Sequence, residues 1–487
     1  MLMFIFIFIY IFKYMNITNT NNKLLNIENY KEKYISSKEQ KLIYGEIFTS
    51  FYLINEMFDL LPEDIFKNKD ARWLDVGAGT GKFSIILYQR LYNNLKDIIP
   101  NNTQRHRHII KNMIYMCEIQ EENVKMLKST FQPDANIIHQ DFLNYNPEFK
   151  FDFVIGNPPY NCNGIKKVPT NLNQKKTQDG STIWIEFIKK SLYLLKDKGE
   201  LLCIIPSIWM KPDKAKIYNL LTSYKINKLK CFSNTETNQL FNKQAQTPTC
   251  ILYLTNELNS IINNNINAET NNIPIKLYDK TYNTFINYCF KINEPIPVFG
   301  ASVISKLQKY TYKYGCLKFI KTNLPSKTAS ISKTKTDKHI YKNIKTCHLK
   351  NLTPEIIYEY SDKPLPYYNK LKLVLAHKMY GFPVIDREKK YGISNRDNYV
   401  FLSQNINKLE RIKQFLSTKF ALFLYETTRY RMKYLEKYIF QLIPDITNIL
   451  DFPNKITDET IADYFELTME ERISINNLHK KQYKFNI

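Results

Sequence analysis

Trp73-Leu74-Asp75-Val76-Gly77-Ala78-Gly79-Thr80-Gly81-Lys82-Phe83 is the stretch that decides the fold. An apolar run carrying one acid, three glycines at alternate positions and then a helix-forming segment reads as a strand entering a helix through a tight turn. Glycine at 77, 79 and 81 lets backbone N–H groups approach a ligand closely, at the positive end of the helix dipole. The spacing is G-x-G-x-G, whereas a dinucleotide site calls for G-x-G-x-x-G. Asp75, just before the turn, suits the ammonium end of an amino-acid-like ligand, which favours S-adenosylmethionine over a dinucleotide.

Working outward, short apolar runs at 72–76, 113–117, 136–139, 151–155, 200–205, 229–232 and 250–254 alternate with helix-period segments. That alternation predicts an α/β domain built on a Rossmann-like, doubly wound parallel sheet. The nearly continuous apolar character of the runs fits strands covered by helices on both faces. The Asn-rich stretch 256–272 breaks this periodicity and reads as the start of a linker. Beyond it come basic, Tyr-rich segments of mixed α+β character, and then a helical run over about 408–440. The organisation expected is an N-terminal extension (1–40), a catalytic domain (41–255), a linker (256–300), a basic domain (301–450) and a helical tail (451–487).

Further candidates follow the same strand order. Glu118 ends the second run, where an acid can accept both ribose hydroxyls. It lies 43 residues after Asp75 instead of the roughly 20 typical of the motif, so the polar stretch 96–108 reads as an insertion loop. Asp141-Phe142 follows the third run, offering an acceptor for an adenine amino group beside an aromatic face; the plainer reading is a helix N-cap and a core Phe.

Ile155-Gly156-Asn157-Pro158-Pro159-Tyr160 closes the fourth run. Four specified residues at roughly 5% each would occur about 0.003 times by chance in a chain of this length. An exocyclic amine is a poor nucleophile because its lone pair is conjugated into the ring. A catalyst must therefore hold both N–H groups with acceptors, and the Asn157 side-chain oxygen and the Pro158 carbonyl, made rigid by Pro158 and Pro159, are two such acceptors. Tyr160 would stack on the base, which must leave its duplex to arrive there.

Charge is unevenly placed. Residues 1–150 carry 18 basic and 17 acidic side chains, whereas 301–440 carry 28 and 10. The block 306–350 has twelve lysines and one acid, Asp337, interleaved with Tyr310, Tyr312, Tyr314, Phe319 and Tyr341. Lysine neutralises phosphate without reading sequence, so this half suits double-stranded DNA; the plainer reading is a solvated Lys-rich surface.

The eight cysteines show no CxxC spacing and no paired His, which argues against zinc and against a disulfide framework and for a reduced, intracellular protein. The apolar stretch 1–12 is shorter than the roughly 18 residues that span a bilayer, and no cleavage site follows. A start at Met15 or a disordered extension accounts for it more readily than a membrane anchor, which is the remaining alternative.

On these motifs the chain resembles the S-adenosylmethionine-dependent DNA adenine-N6 methyltransferases of restriction–modification systems. Their gamma order places cofactor motifs first, the catalytic tetrapeptide next and a target-recognition domain last. The match runs from about 42 to 254. The resemblance implies cofactor contacts by Asp75, Gly77, Gly79, Glu118, Ile119, Asp141 and Phe142, and catalysis by Asn157, Pro158, Pro159 and Tyr160. It also implies that Thr49, in Tyr44-Gly45-Glu46-Ile47-Phe48-Thr49, contacts the methionine part of the cofactor, although Ser50 stands where the family usually has proline. Phe241, in Leu240-Phe241-Asn242-Lys243, falls on the motif that touches the extruded base, with a plain core Phe as the alternative. A separate cognate restriction endonuclease is the partner such a system implies.

Cytosine-C5 methylation is excluded because no Pro-Cys dipeptide occurs. The tetrapeptide is shared with methyltransferases of release-factor glutamine and of ribosomal RNA guanine, which leaves those, and cytosine N4, as alternatives. A non-catalytic nucleic-acid-binding subunit would show a broken tetrapeptide or glycine turn, and both are intact here.

Overall fold

The computed structural model describes residues 25, 43–163, 181–259, 272–350, 353–377, 383–431 and 435–478; the apolar stretch 1–12 lies outside the described residues. It divides into two units, 1–206 with 220–265 and 207–219 with 266–487.

In the first unit the strands are β1 (Trp73–Val76), β2 (Ile114–Glu118), β3 (Asn136–His139), β4 (Phe151–Gly156), β5 (Asn161–Cys162), β6 (Ser181–Thr182), β7 (Leu195–Pro206), β8 (Tyr224–Phe232) and β9 (Thr249–Leu258). The helices are α1 (Phe51–Phe58), α2 (Lys82–Asn94), α3 (Asn102–His108), α4 (Glu121–Phe131), α5 (Trp184–Leu194) and α6 (Asn234–Leu240). Within this unit the main sheet runs β3-β2-β1-β4-β7-β9-β8. β1 pairs in parallel with β2 and β4, β2 with β3, and β4 with β7. The chain winds outward from β1 to β3 and returns to β4 on the other side. The crevice at the carboxyl ends of β1 and β4 is therefore where a doubly wound sheet binds its ligand.

Two features hold β1 in place. All four of its residues are buried. Trp73 lies between the rings of Phe66 and Phe153, with centroids 5.6 and 3.8 Å away and planes tilted by 5° and 13°. Trp73 and Phe153 are register partners across β1 and β4, so the stack welds the strands on either side of the switch point. Gly81 takes a left-handed φ of +89° at the N-cap of α2, and a Cβ there would sit 2.7 Å from Leu127 Cδ2. Glycine at 81 thus serves close packing of α2 on α4.

The sheet is not parallel throughout. β9 runs antiparallel to both β7 and β8. Its first seven residues are buried, so its sequence carries the same continuous apolar signal as a parallel strand and gives no clue to direction. The stretch 96–108 is not a loop either. Its second half forms α3, which runs on into a single π turn over Ile109–Met113. Arg105 staples it: the guanidinium donates to the Ile99 and Pro100 carbonyls and to Asn102 Oδ1, and lies over the Tyr92 ring.

The second unit is mixed α+β, as expected. Its strands are β10 (Ile273–Asp279), β11 (Thr284–Phe290), β12 (Ile320–Lys321), β13 (Ile331–Ser332), β14 (Tyr341–Lys350), β15 (Thr353–Ser361), β16 (Lys372–Ala376), β17 (Val384–Asp386), β18 (Gly392–Ile393) and β19 (Asn398–Leu402). They form the antiparallel hairpin β10–β11 and two four-stranded sheets, β12-β19-β16-β17 and β13-β15-β14-β18. Ile344, Val374, Ile393 and Val400 make one buried cluster that joins those two sheets. Its helices are α7 (Ala301–Tyr314), α8 (Ile406–Leu416), α9 (Lys419–Thr427), α10 (Asp458–Tyr464) and α11 (Met469–Leu478).

Two expectations are corrected here. Part of the stretch read as a linker is the β10–β11 hairpin: Ile273, Ile275 and Leu277 are buried while Pro274 and Lys276 are exposed, a period of two that the preceding asparagines obscure. The helical run over 408–440 is broken. Thr418 caps α9 by accepting from the Ala421 N–H, and the chain leaves the helix after Thr427.

Candidate active site

A cavity of about 300 Å³ opens at the carboxyl ends of the first unit's strands, at the lower end of the roughly 300–1,000 Å³ typical of small-molecule sites. Its lining brings together Thr49, Gly77, Gly79, Glu118, Ile119, Asp141, Phe142, Asn157, Pro158, Pro159, Tyr160 and Phe241. These come from separate stretches of chain, and each is a candidate that the sequence motifs single out.

The glycine turn forms the floor. Gly77 and Gly79 have φ of +67° and +55°, which side-chain-bearing residues rarely adopt. A Cβ at either would meet nothing nearer than 3.9 Å. Packing therefore does not demand glycine at 77 and 79; it leaves space above the backbone, as a ligand-facing turn requires.

Glu118 is pinned beside that turn. One carboxylate oxygen accepts from the Gly79 N–H and the other from the Gln120 N–H, both at 2.7 Å. Burial pushes its carboxyl above the ordinary range, against the downward pull of those two bonds. The Asn123 side chain and the Ile119 N–H add to that downward pull.

Asp75 departs from expectation, because it does not line the cavity. It is 1% exposed beneath the turn, where its Oδ2 accepts from Ser84 Oγ at 2.7 Å while, among the described residues, Oδ1 has no partner. Burial pushes its carboxyl up to about 7; the Ser84 bond pulls it down and neighbouring Glu118 pushes it up. Its position supports the turn from below and does not offer the carboxylate to the cavity.

At the far end, Asp141 caps a short 3-10 turn, accepting from the Leu143 N–H at 3.0 Å. Phe142 packs on Phe187 with ring centroids 5.0 Å apart. Both keep the plain structural roles open to such a pair and still face the cavity.

The tetrapeptide follows Gly156, whose φ of +146° and close approach to the Val76 carbonyl bring the end of β4 against β1. Asn157 donates through Nδ2 to Thr49 Oγ1 at 3.1 Å and to the Ile47 carbonyl at 3.5 Å, and its buried Oδ1 has no partner among the described residues. Since the Ile47 carbonyl can only accept, the amide nitrogen belongs on that side. Tyr160 donates its hydroxyl to the Ile204 carbonyl at 3.4 Å, and burial raises its phenol well above the ordinary value. Phe241 is 1% exposed at the end of α6.

Sequence reasoning missed what holds the tetrapeptide. The segment 43–49 lies along it: the Asn163 N–H donates to the Ile43 carbonyl, and a Cβ on Gly45 would fall 1.9 Å from the Asn161 carbonyl oxygen. Gly45 is legible as a glycine, yet nothing local says which backbone it abuts. Among the described residues no group of three His, Cys, Asp or Glu could hold a metal ion, and no helix is long and apolar enough to cross a membrane.

The sheet order and the crevice site define the fold of a Rossmann-like methyltransferase. Residues 78–241 match the Eco57I restriction-modification methylase family. The chain is 26% identical to a tRNA1(Val) (adenine(37)-N6)-methyltransferase of Pedobacter heparinus over 156 residues, 32% of this chain and 61% of that protein. It is 29% identical to the type II methyltransferase M.AccI of Acinetobacter calcoaceticus over 200 residues, 39% of this chain and 33% of that one. Among solved structures, the EcoKI M protein of a type I restriction enzyme aligns at 16% identity with a TM-score of 0.35, covering 48% of each chain. The resemblance to the restriction–modification adenine methyltransferases drawn from the motifs therefore stands, over a stretch that spans less than two thirds of these relatives' own length.

Proposed function

We propose that the protein transfers a methyl group from S-adenosylmethionine to the exocyclic N6 of adenine in a specific sequence of double-stranded DNA, with the base turned out of the helix. The observation that carries this is the Oδ1 of Asn157, which has no partner among the described residues and is buried in the wall of the cavity whose floor is the Gly77–Gly79 turn. A buried acceptor without a donor is costly, and an amine N–H supplies the missing donor.

The residues fit the cofactor. Gly77 and Gly79 leave the floor open, Glu118 would take the ribose hydroxyls, and Asp141 with Phe142 lines the end that an adenine ring would occupy. When bound, S-adenosylmethionine supplies a methyl on a cationic sulfur: the amine lone pair forms the new C–N bond and the C–S pair returns to sulfur. Asn157 Oδ1 and the Pro158 carbonyl hold the two N–H groups and favour a pyramidal nitrogen aimed at that methyl. Tyr160, with its hydroxyl tied to Ile204, offers its ring to the base. The methylated nitrogen then sheds one proton to water, so no strong base is required.

The second unit supports a polyanionic substrate. Lys318, Lys321, Lys327, Lys333, Lys335 and Lys338 are all exposed. Near the sheet that holds Lys321, burial first and then the Lys321 charge push His377 down to about 4 against the opposing pull of Asp397, with Arg431 and Arg396 adding smaller shares. Exposed cations of this kind attract phosphate. A separate nuclease of the same target specificity would be the partner. A second reading, RNA adenine, is favoured by the tRNA-modifying relatives.

The test offers labelled S-adenosylmethionine with duplex DNA of mixed sequence, tRNA and protein in parallel. Label in duplex DNA, released as N6-methyladenine on digestion, is expected. Label in tRNA alone would move the RNA reading into first place.

A further inference from the structure

The cofactor motif supplies Thr49 as a methionine-contacting residue, but its hydroxyl stands elsewhere in the chemistry too. It is 5% exposed and accepts the Asn157 side-chain N–H at 3.1 Å. Among the described residues no acceptor takes its own hydrogen. Resting on the methyl-transfer reading above, we infer that Thr49 is a positioning residue that acts through Asn157 and couples an occupied cofactor site to the catalytic amide.

The polarity of the amide decides which way Asn157 must face. Asn157 presents an oxygen to the amine only if its nitrogen is held on the other side, and two acceptors hold it there, Thr49 Oγ1 and the Ile47 carbonyl. The carbonyl contact is the weaker at 3.5 Å, near the limit of a hydrogen bond. Thr49 therefore carries most of the orientation. A rotated amide would turn two N–H donors toward an amine that also donates, and transfer would stop.

The hydroxyl is a relay because it accepts with a lone pair and donates with its hydrogen. When its hydrogen points to an anionic group in the cavity, such as the carboxylate of an amino-acid-like ligand, a lone pair is left directed at Asn157 Nδ2. With that acceptor absent the hydrogen is free to rotate, and the amide is less firmly oriented. Binding of the cofactor thus prepares the group that receives the amine.

The backbone fixes Thr49 for this task. Ser50 caps α1 with its side chain accepting from the Leu53 N–H at 3.3 Å, so Thr49 is the last residue before the helix cap. Ser50 occupies the place where the family usually has proline, and it supplies through a hydrogen bond the fixed helix start that proline supplies through its ring. Gly45 and Asn163 hold the other end of the segment against the tetrapeptide loop.

The test is a double-mutant cycle on the full chain. Thr49→Val keeps the shape and removes the hydroxyl; Thr49→Ser keeps the hydroxyl; both are made alone and with Asn157→Ala. Single-turnover transfer and S-adenosylmethionine affinity are measured separately, with thermal melting as a fold control. Thr49→Val should slow transfer by about 10–100-fold, the scale of a misoriented catalytic group, with Thr49→Ser within about threefold of wild type. In the Asn157→Ala background Thr49→Val should slow transfer no further.

An additive loss in the double mutant, or a loss confined to cofactor affinity at an unchanged transfer rate, overturns the inference. If Thr49→Val does not fold, Thr49→Ala replaces it in the same cycle, and full loss in Thr49→Ser would also count against the relay. Wild-type protein that transfers methyl to no adenine in DNA or RNA brings down the proposed activity and this inference together. Wild-type transfer with an indifferent Thr49 brings down the inference alone.

Discussion

Two sets of polar groups are handled in opposite ways: in the first unit, buried Asp75 and Glu118 and half-buried Asn157 are held by named partners at fixed distances, whereas in the second the lysines of 318–338 stand in solvent. Bond-making chemistry needs a lone pair within a few tenths of an ångström of its place, and only a buried, cross-braced side chain supplies that. Attraction of phosphate needs charge over an area and tolerates motion. Deletion in the first unit should therefore act on rate and fold, and deletion in the second on affinity and its response to salt.

The largest effect expected is at Asn157. Asn157→Ala should lower kcat by about 10²–10³-fold, the usual cost of removing one placed charge-stabilising group, and leave cofactor affinity within a few-fold. Single-turnover transfer and equilibrium binding separate the two. A collapse of cofactor binding would mean that the amide serves the cofactor and not the amine, and the contrast between the units would lose its sharpest member.

Those buried groups are also the most legible from sequence, because each sits in a local pattern. The glycine turn, the acid ahead of it and Asn-Pro-Pro-Tyr are all runs of neighbours, and a doubly wound sheet delivers the ends of its strands to one crevice whatever lies between them. What escapes depends on partners distant in sequence. Thr49 meets Asn157 across 108 positions, and β9 reverses direction without any change in its apolar signal. Asp75 stands out as the acid before the turn, yet it lies on the other side of that turn from the one expected, since sequence spacing does not say whether a side chain faces the ligand or the core. In the second unit Thr418 carries a readable cap signal, but the apolar period on both sides of it masks the break.

Asp75 gives the next test, through pH. Its carboxyl titrates at about 7 in the fold, against 3.8 for an aspartate in water. Between those values the native state holds a proton that the unfolded chain has lost, so stability falls as pH rises through this window, and the penalty is fully present above it. Asp75→Asn removes the ionisation and leaves a side-chain oxygen in place for the Ser84 bond. The variant should gain stability on wild type as pH rises from about 5 to about 8, by a few kcal/mol at most. Thermal melts across that range would show it. A difference that does not change with pH would mean that Asp75 is ionised in the native protein and that the depth of its burial does not govern it.

The smallest effect per residue belongs to the lysines, and it tests the other half of the contrast. Lys327, Lys333, Lys335 and Lys338 are exposed, so replacing all four with glutamine removes charge without removing packing. The slope of log affinity against log salt should become shallower by about 0.9 for each phosphate left without its lysine, and affinity should drop alike for every DNA sequence, because lysine on phosphate reads no bases. The fold and the transfer rate at saturating DNA should be unchanged. A slope that does not move would make these residues a solvated surface and leave Lys321, Arg396 and Arg431, whose charges add to the burial that depresses His377, as the next phosphate track to test. A slower transfer at saturation would be more damaging: it would mean that charge in the second unit takes part in the chemistry of the first, and that the division of labour between placed and unplaced polar groups does not hold.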